Sequence, residues 1–180
     1  MLPVPFFIGI VPPDDVKRRI EAFRNRWESN RLREVVEPHI TVKAQSGLTG
    51  DLAWLDKVRN VCSSFRSFRV SLGEPATYGT SVAYLSVRSA EICELHRSLM
   101  EAVSPPPELL KIYYELDRYH PHLTLGQTHW GMSESEIVEM AAEARRALAP
   151  YPSFDVAFVR VYKEIGPDRY APFEDIRLAR

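Results

Sequence analysis

One short pattern occurs twice in this chain and constrains its fold more than any other feature. Pro38-His39-Ile40-Thr41-Val42 returns 83 residues later as Pro121-His122-Leu123-Thr124-Leu125. In each copy polar and apolar side chains alternate, which is the pattern of a β-strand with one buried and one polar face. The repeat therefore predicts a duplicated fold in which two equivalent strands each present a histidine and a threonine on the same face.

The elements around the motifs follow a duplicated order, β-α-β-α-β and then β-α-β-α-β-β. Strands are predicted at 6–11, 36–44, 68–72, 81–88, 122–128, 154–165 and 174–178, with a turn-rich stretch at 73–80 and a loop before 119. Helices are predicted from Asp14 to about Asn30, from a cap at Thr49 to Phe65, from Ser89 to the prolines at 105–107, and from the capping box Ser133-x-x-Glu136. We expect one α+β domain over 1–180, in which repeats of approximately 1–75 and 81–180 form two lobes related by a pseudo-two-fold axis. Each lobe has an antiparallel sheet and flanking helices, and the active site lies in the cleft between them.

The polar faces of the two motifs suit phosphate chemistry if they meet across that cleft. A phosphodiester displacement needs a base for the attacking oxygen and an acid for the departing one, and histidine serves either role near neutral pH. We therefore predict His39 and His122 as the acid/base pair and Thr41 and Thr124 as donors to the phosphate oxygens. This scheme requires no metal and no cofactor. Nearly identical flanking residues predict a bell-shaped kcat/KM profile centred roughly between pH 6 and 7.

These residues resemble a known group, the 2H phosphoesterase superfamily, which is named for two His-x-Thr/Ser motifs in a duplicated, bilobal fold. Pro5 to Ile10 and the segment from Tyr162 to Tyr170 extend the resemblance to both ends of the chain. It is closest to the bacterial LigT-like members, of the 2',5' RNA ligase or cyclic phosphodiesterase type, and within these to YjcG-like proteins. The resemblance implies metal-independent action on RNA ends or small nucleotide-derived phosphodiesters, either 2',3'-cyclic or 2',5'-linked.

Four further residues are candidates for substrate binding. Lys43 follows Thr41 by two positions and is expected on the same strand face, where it would bring a positive charge to the cleft. Many LigT-like members carry a basic residue soon after the second motif, whereas this chain has Gly126 and Gln127 there. Tyr84 and Tyr162 lie near strand ends, where a base could stack on them or where they could simply pack in the core.

Three alternatives stay open at this point. A non-catalytic RNA or nucleotide binder could use the same scaffold, because fold alone does not fix function. His120 and His122 could chelate zinc, although no clustered Cys, Asp or Glu completes a ligand set. The first helix carries several Lys and Arg residues, which form either a face that attracts RNA or an ordinary solvated surface.

Composition indicates the cellular compartment and the kinds of partner to expect. The net charge of −1 gives no overall field for polyanions, so any such binding depends on local groups. No stretch approaches the roughly 20 apolar residues of a membrane-spanning helix. Cys62 and Cys93 have no Cys-x-x-Cys partner, which is typical of buried thiols in a reducing cytoplasm. We expect a cytoplasmic protein, a monomer without an obligate protein partner.

Overall fold

The computed structural model describes residues 5–180. Its strands are β1 (Phe6–Ile10), β2 (Ile40–Lys43), β3 (Phe68–Tyr78), β4 (Val82–Arg88), β5 (His122–Gln127), β6 (Ser153–Val156), β7 (Phe158–Gly166) and β8 (Arg169–Arg177). Its α-helices are α1 (Asp14–Arg24), α2 (Leu55–Ser64), α3 (Ala90–Val103), α4 (Pro107–Ile112) and α5 (Glu134–Ala147). Short 3-10 helices lie at Arg31–Glu34, Leu116–Arg118 and Thr128–Trp130. None of the helices in residues 5–180 is long and apolar enough to cross a membrane.

All eight strands form one antiparallel sheet in the order β6-β3-β4-β5-β2-β1-β7-β8. Its two halves of four strands are joined in the middle by β2 and β5, through the single pair Ile40–Leu123. Helices α2 and α3 pack on the half that contains β2 and β8, and α1 and α5 on the half that contains β3, β4 and β5. The predicted α+β fold of two antiparallel half-sheets with flanking helices is confirmed. The repeat boundaries at about 75 and 81 stay a prediction.

The apolar residues of the motifs lie on the face covered by helices. Ile40, Val42, Leu123 and Leu125 are fully buried in a single large hydrophobic cluster with residues of α1, α2, α3 and α5. Burial of this face orients the motif strands, because neighbouring residues on a strand point to opposite sides. His39, Thr41, His122 and Thr124 consequently share the other face of the sheet.

Several predicted boundaries are wrong for identifiable reasons. The first helix ends at Arg24, because the backbone amides of Arg26 and Trp27 bond three residues back and not four, and Asn30 then caps the following 3-10 helix with its side chain. Strand β3 continues to Tyr78 through the predicted turn, with a break in register between Leu72 and Pro75 that absorbs Gly73 and Glu74. The predicted strand 154–165 divides at Ala157 into β6 and β7. Helix α4 occupies part of the predicted loop.

Candidate active site

The pairing of β2 with β5 brings the two motifs side by side. Ile40 lies opposite Leu123 in an antiparallel register, so one step outward places His39 opposite Thr124 and Thr41 opposite His122. Side chains that face each other in this way have Cβ atoms about 4.5–5.5 Å apart. The four polar residues thus form one compact group at the seam between the half-sheets, with Ile40 and Leu123 at its local two-fold centre.

A local contact fixes the orientation of each motif histidine. The ring atom Nδ1 lies 2.9 Å from the carbonyl oxygen of Glu37 in His39 and 2.8 Å from that of His120 in His122. In both cases the carbonyl belongs to the residue before the proline. A carbonyl can only accept a hydrogen bond, so Nδ1 carries the hydrogen and Nε2 bears the lone pair in the neutral ring. The Thr41 hydroxyl donates to Nε2 of His39 at 3.2 Å.

Each motif strand contains a β-bulge directly after its threonine. The register with β1 moves from Gly9–Thr41 to Ile8–Lys43, so Val42 is the extra residue of β2. The register with β4 moves in the same way at Leu125 of β5. Bulges disrupt the ladder and leave backbone groups in need of other partners.

Side chains from outside the sheet supply these partners. The Thr41 carbonyl accepts from the Tyr119 hydroxyl at 2.9 Å, and Nδ1 of His96 lies 2.7 Å from the Val42 carbonyl. On β5, the Leu125 carbonyl accepts from Nδ2 of Asn30 at 3.0 Å, and the Thr124 carbonyl accepts from Nε of Arg24 at 3.2 Å. The two motif strands are therefore held at equivalent places, but by different residue types.

The bulge also corrects the predicted position of Lys43. Because Val42 is an extra residue, Lys43 comes into register with core residue Ile8 and not with the face of Thr41. Its side chain is fully buried, and Nζ donates to Oε1 of Glu115 at 2.5 Å and to the hydroxyl of Ser46 at 2.9 Å. The positive charge of Lys43 is thus neutralised in the interior, away from the motif face.

The same geometry explains the residues that follow the second motif. Gly126 faces the core, where an added Cβ would collide with the sulfur of Met132. A basic side chain has no room there. Gln127 lies at the end of β5, opposite Val82 and beyond the bulge, with its side chain half-buried.

The surroundings of His39 are enclosed. Phe7 and Tyr162 lie against its ring, with centroids 5.0 and 5.5 Å away, and both are buried. The hydroxyl of Tyr162 donates to Oε1 of Glu37 at 2.9 Å. Lys17 and Arg160 donate to the same carboxylate, at 2.9 and 2.7 Å. Predicted candidate Tyr162 is therefore part of the wall behind His39, with its hydroxyl already bound.

The surroundings of His122 are more open. Tyr84 and Tyr78 stack with centroids 4.5 Å apart, and each meets the His122 ring edge to face. Tyr84 is buried, whereas Tyr78 is 40% exposed and its hydroxyl lies 2.5 Å from Nδ1 of exposed His120. Predicted candidate Tyr84 lies beside His122, and Tyr78 and His120 give that side an accessible aromatic edge.

The two histidines differ in the charges around them. Burial lowers the pKa of His39 to about 4, and the positive charge of Arg24 and the approach of His122 act in the same direction. Burial also lowers the pKa of His122, helped by its neighbour His120. Both rings therefore favour the neutral form, and among residues 5–180 a permanent cation, Arg24, acts on His39 whereas none is among the groups that shift the pKa of His122.

No signal in the sequence links the motifs to the residues that hold them in place. Arg24, Asn30, His96 and Tyr119 are distant in sequence, and no periodicity connects them to the bulges. Glu37 was detectable, because it precedes Pro38-His39 at the position that His120 occupies before Pro121-His122. Within residues 5–180, no three His, Cys, Asp or Glu side chains come together in a group that could hold a metal ion.

Comparison with known proteins places this geometry in a family. The family model described as the 2'-5' RNA ligase superfamily matches residues 12–168. The chain belongs to this superfamily. No curated protein sequence matches it closely enough to count as a relative.

Solved structures share the fold of this chain. E. coli LigT complexed with phosphate is 19% identical, with a TM-score of 0.61 and full coverage of both chains. E. coli LigT complexed with 3'-AMP is 17% identical over 98% of each chain, with a TM-score of 0.62. The protein TT0787 of Thermus thermophilus is 16% identical over 97% of each chain, also with a TM-score of 0.62. The predicted LigT-like fold is confirmed, and the YjcG-like subtype stays a prediction.

Proposed function

We propose that the protein is a metal-independent phosphoesterase that acts on a 2',3'-cyclic phosphate or a 2',5' phosphodiester, at an RNA end or in a small nucleotide. The observation that carries this proposal is the pair of histidines on one sheet face, each with Nδ1 bound to a backbone carbonyl and Nε2 left as its reactive nitrogen. General acid–base catalysis needs such preset tautomers. Membership of the 2'-5' RNA ligase superfamily supports the same chemistry.

In this proposal His39 is the base and His122 the acid. The neutral ring of His39 is favoured by burial and by the nearby charge of Arg24, so its Nε2 takes a proton from water as the water oxygen attacks phosphorus. The bond from phosphorus to the leaving oxygen breaks, and that oxygen receives the proton from Nε2 of a protonated His122. His39 thus ends the reaction with one more proton and His122 with one fewer, and exchange with solvent restores both. RNA ligation would be the same displacement with an RNA hydroxyl, in place of water, attacking the phosphorus of a 2',3'-cyclic phosphate.

The threonines would bind the non-bridging phosphate oxygens. Thr41 and Thr124 lie diagonally in the group of four, so their hydroxyls can donate from two sides of a phosphate seated between the histidines. Thr41 then exchanges its hydrogen bond to His39 for one to the phosphate. That exchange frees Nε2 for the proton transfer.

The open side of the site suits the nucleoside part of the substrate. Tyr78 and Tyr84 offer an aromatic edge beside His122, whereas Tyr162 is enclosed behind His39. Structures of E. coli LigT with phosphate and with 3'-AMP support a site for phosphate and nucleotide groups on this fold. Gln127 is the last residue of β5, the strand that carries His122, and in this proposal it contacts a longer substrate. The cytoplasmic location and the monomeric state are also part of this proposal.

The proposal can be tested with adenosine 2',3'-cyclic phosphate and a 2',5'-linked diadenosine monophosphate, each incubated with the purified protein and excess EDTA. We expect turnover of at least one of them in EDTA, and its loss in His122→Ala. His129→Ala is the matched control, because His129 is an exposed histidine in the turn that follows the same strand. Saturable binding of both compounds without turnover would instead establish the non-catalytic binder. Activity lost in EDTA and restored by zinc would favour a metal site at His120 and His122.

A further inference from the structure

Arg24 is a buried cation at the seam between the two motifs. It is the last residue of α1, only 3% exposed, and its guanidinium donates through Nε and Nη2 to the carbonyl oxygen of Thr124. The adjacent Asn30 is equally buried and donates to the Leu125 carbonyl at 3.0 Å. The guanidinium therefore lies against the backbone of the second motif.

Other cations near the motifs are paired with carboxylates. Lys17 and Arg160 bind Glu37 at 2.9 and 2.7 Å, and Lys43 binds Glu115. For Arg24, no carboxylate oxygen within residues 5–180 lies inside 4.0 Å. Glu21, three residues earlier on the same helix, acts on it only at longer range.

A buried charge without a partner is unfavourable, and an anion placed nearby removes part of that cost. Burial lowers the pKa of Arg24 to about 10, so the guanidinium remains charged at neutral pH. Its field reaches His39, which lies opposite Thr124 across the β2–β5 seam. An anion held between His39 and Thr124 would lie within the same field.

We propose that Arg24 supplies the positive charge that balances the substrate phosphate. The guanidinium does so by its electric field, from its position at the Thr124 carbonyl, and does not touch the substrate. This inference rests on the proposed function and names Arg24 as a positioning residue of that site. It accounts for the lack of a basic residue after the second motif, where this chain has Gly126 and Gln127 and where no basic side chain fits at position 126. The charge comes from a helix of the first half of the chain instead.

The experiment compares Arg24→Gln, which removes the charge and keeps an amide donor, with Arg24→Lys, which keeps the charge. Binding of inorganic phosphate is measured by calorimetry at pH 7 and low salt. We expect Arg24→Gln to weaken binding about 10-fold or more and Arg24→Lys to stay within about threefold of the wild type, because the Coulomb interaction depends on charge. Arg18→Gln, which removes an exposed charge from the same helix, is the control and should leave binding unchanged.

A second readout separates charge from a merely structural role. The charged or titratable groups that act on His39 are Glu37, Arg24 and His122. By ring-proton NMR the pKa of His39 should rise in Arg24→Gln and stay close to the wild-type value in Arg24→Lys. Equal loss of phosphate binding in both variants, or no loss in either, would overturn the proposal.

Two further measurements keep the outcome decisive. If Arg24→Gln does not fold, Asn25→Asp places a carboxylate beside an intact Arg24, since both residues line one cavity of about 190 Å³. Weaker phosphate binding in Asn25→Asp supports the proposal, and unchanged binding contradicts it.

Wild-type turnover of the cyclic substrate is measured in parallel. Its absence would remove the proposed function, whereas phosphate binding insensitive to charge at position 24 would remove only the role of Arg24.

Discussion

The two motif histidines have nearly the same neighbours in sequence and different neighbours in space. Each follows a proline and precedes an apolar residue and a threonine, and each donates from Nδ1 to the carbonyl two residues earlier. That carbonyl belongs to Glu37 in one case and to His120 in the other. His39 is enclosed and close to Arg24, whereas His122 borders exposed aromatic groups. Nearly identical flanking residues therefore do not give the two rings equal surroundings, because the differences come from residues on other strands and helices.

This asymmetry moves the expected pH dependence of activity. The pKa of His39 is lowered to about 4 and that of His122 is also lowered. A reaction that needs neutral His39 and protonated His122 should then have its maximum of kcat/KM below about pH 6, and not between pH 6 and 7. The limbs describe the coupled pair. A profile measured on a cyclic nucleotide checks this, and a maximum between pH 6 and 7 or higher would be inconsistent with these surroundings.

The lowered pKa of His39 also makes the stability of the folded protein depend on pH. Between pH 6.5 and about 4 the unfolded chain protonates this histidine while folded His39 stays neutral, so the native state loses stability as the pH falls through that window. The loss amounts to about 3 kcal/mol at most. His39→Asn should remove it, so that its free energy of unfolding declines less from pH 6.5 to 4 than that of the wild type. In urea titrations His129→Asn serves as the control, and parallel declines in wild type and His39→Asn would refute the assignment.

At the scale of elements, the sequence predicted the motif strands well and their irregularities poorly. Alternation identified β2 and β5 and the face shared by His39 and Thr41. It could not show the bulge at Val42, which turns Lys43 into the core, because a bulge depends on the partner strand. The extent of β3 was missed for the same reason, since its pairing with β4 continues across the Gly73–Glu74 irregularity.

The bulges make a specific prediction for α3. His96 is buried, with Nδ1 bound to the Val42 carbonyl and Nε2 accepting from the Leu116 backbone amide at 2.9 Å. His96→Leu leaves both backbone groups without partners, so the free energy of unfolding should fall by about 2–4 kcal/mol. Arg97→Leu changes an exposed residue of the same helix and should cost less than about 0.5 kcal/mol. Chemical denaturation measures both, and similar values for the two variants would contradict the role of His96.

At the scale of the whole molecule, the sheet must curl. β6 and β7 are separated by Ala157 alone, yet they occupy nearly opposite ends of the strand order. Since consecutive Cα atoms are about 3.8 Å apart, the two ends of the sheet come close together. This closure was invisible in the sequence, where 154–165 looks like one continuous strand. The position of the motifs at the centre of the sheet was easier to predict, because the duplication already implied two equivalent strands.

A buried ion pair joins the segment between α3 and β5 to strand β2. Lys43 of β2 and Glu115, just before the 3-10 helix at Leu116–Arg118, bind each other without solvent contact. Lys43→Met leaves the Glu115 carboxylate unpaired and should lower the free energy of unfolding by about 3–5 kcal/mol. The double variant Lys43→Met with Glu115→Leu should recover most of that loss. Equal destabilisation by the single and the double variant, measured in urea, would show that the pair is not coupled.

The central claim is that His39 and His122 act together on one phosphate, and kinetics on adenosine 2',3'-cyclic phosphate test it most directly. The measurement is kcat/KM for the wild type, His39→Ala, His122→Ala and the double variant, with circular dichroism to confirm folding. Each single substitution should lower kcat/KM by about 10²- to 10⁴-fold, the usual contribution of a general acid or base. The double variant should be little worse than the singles, because both groups serve one displacement. Single variants that retain wild-type turnover, or losses that multiply fully in the double variant, would contradict the account.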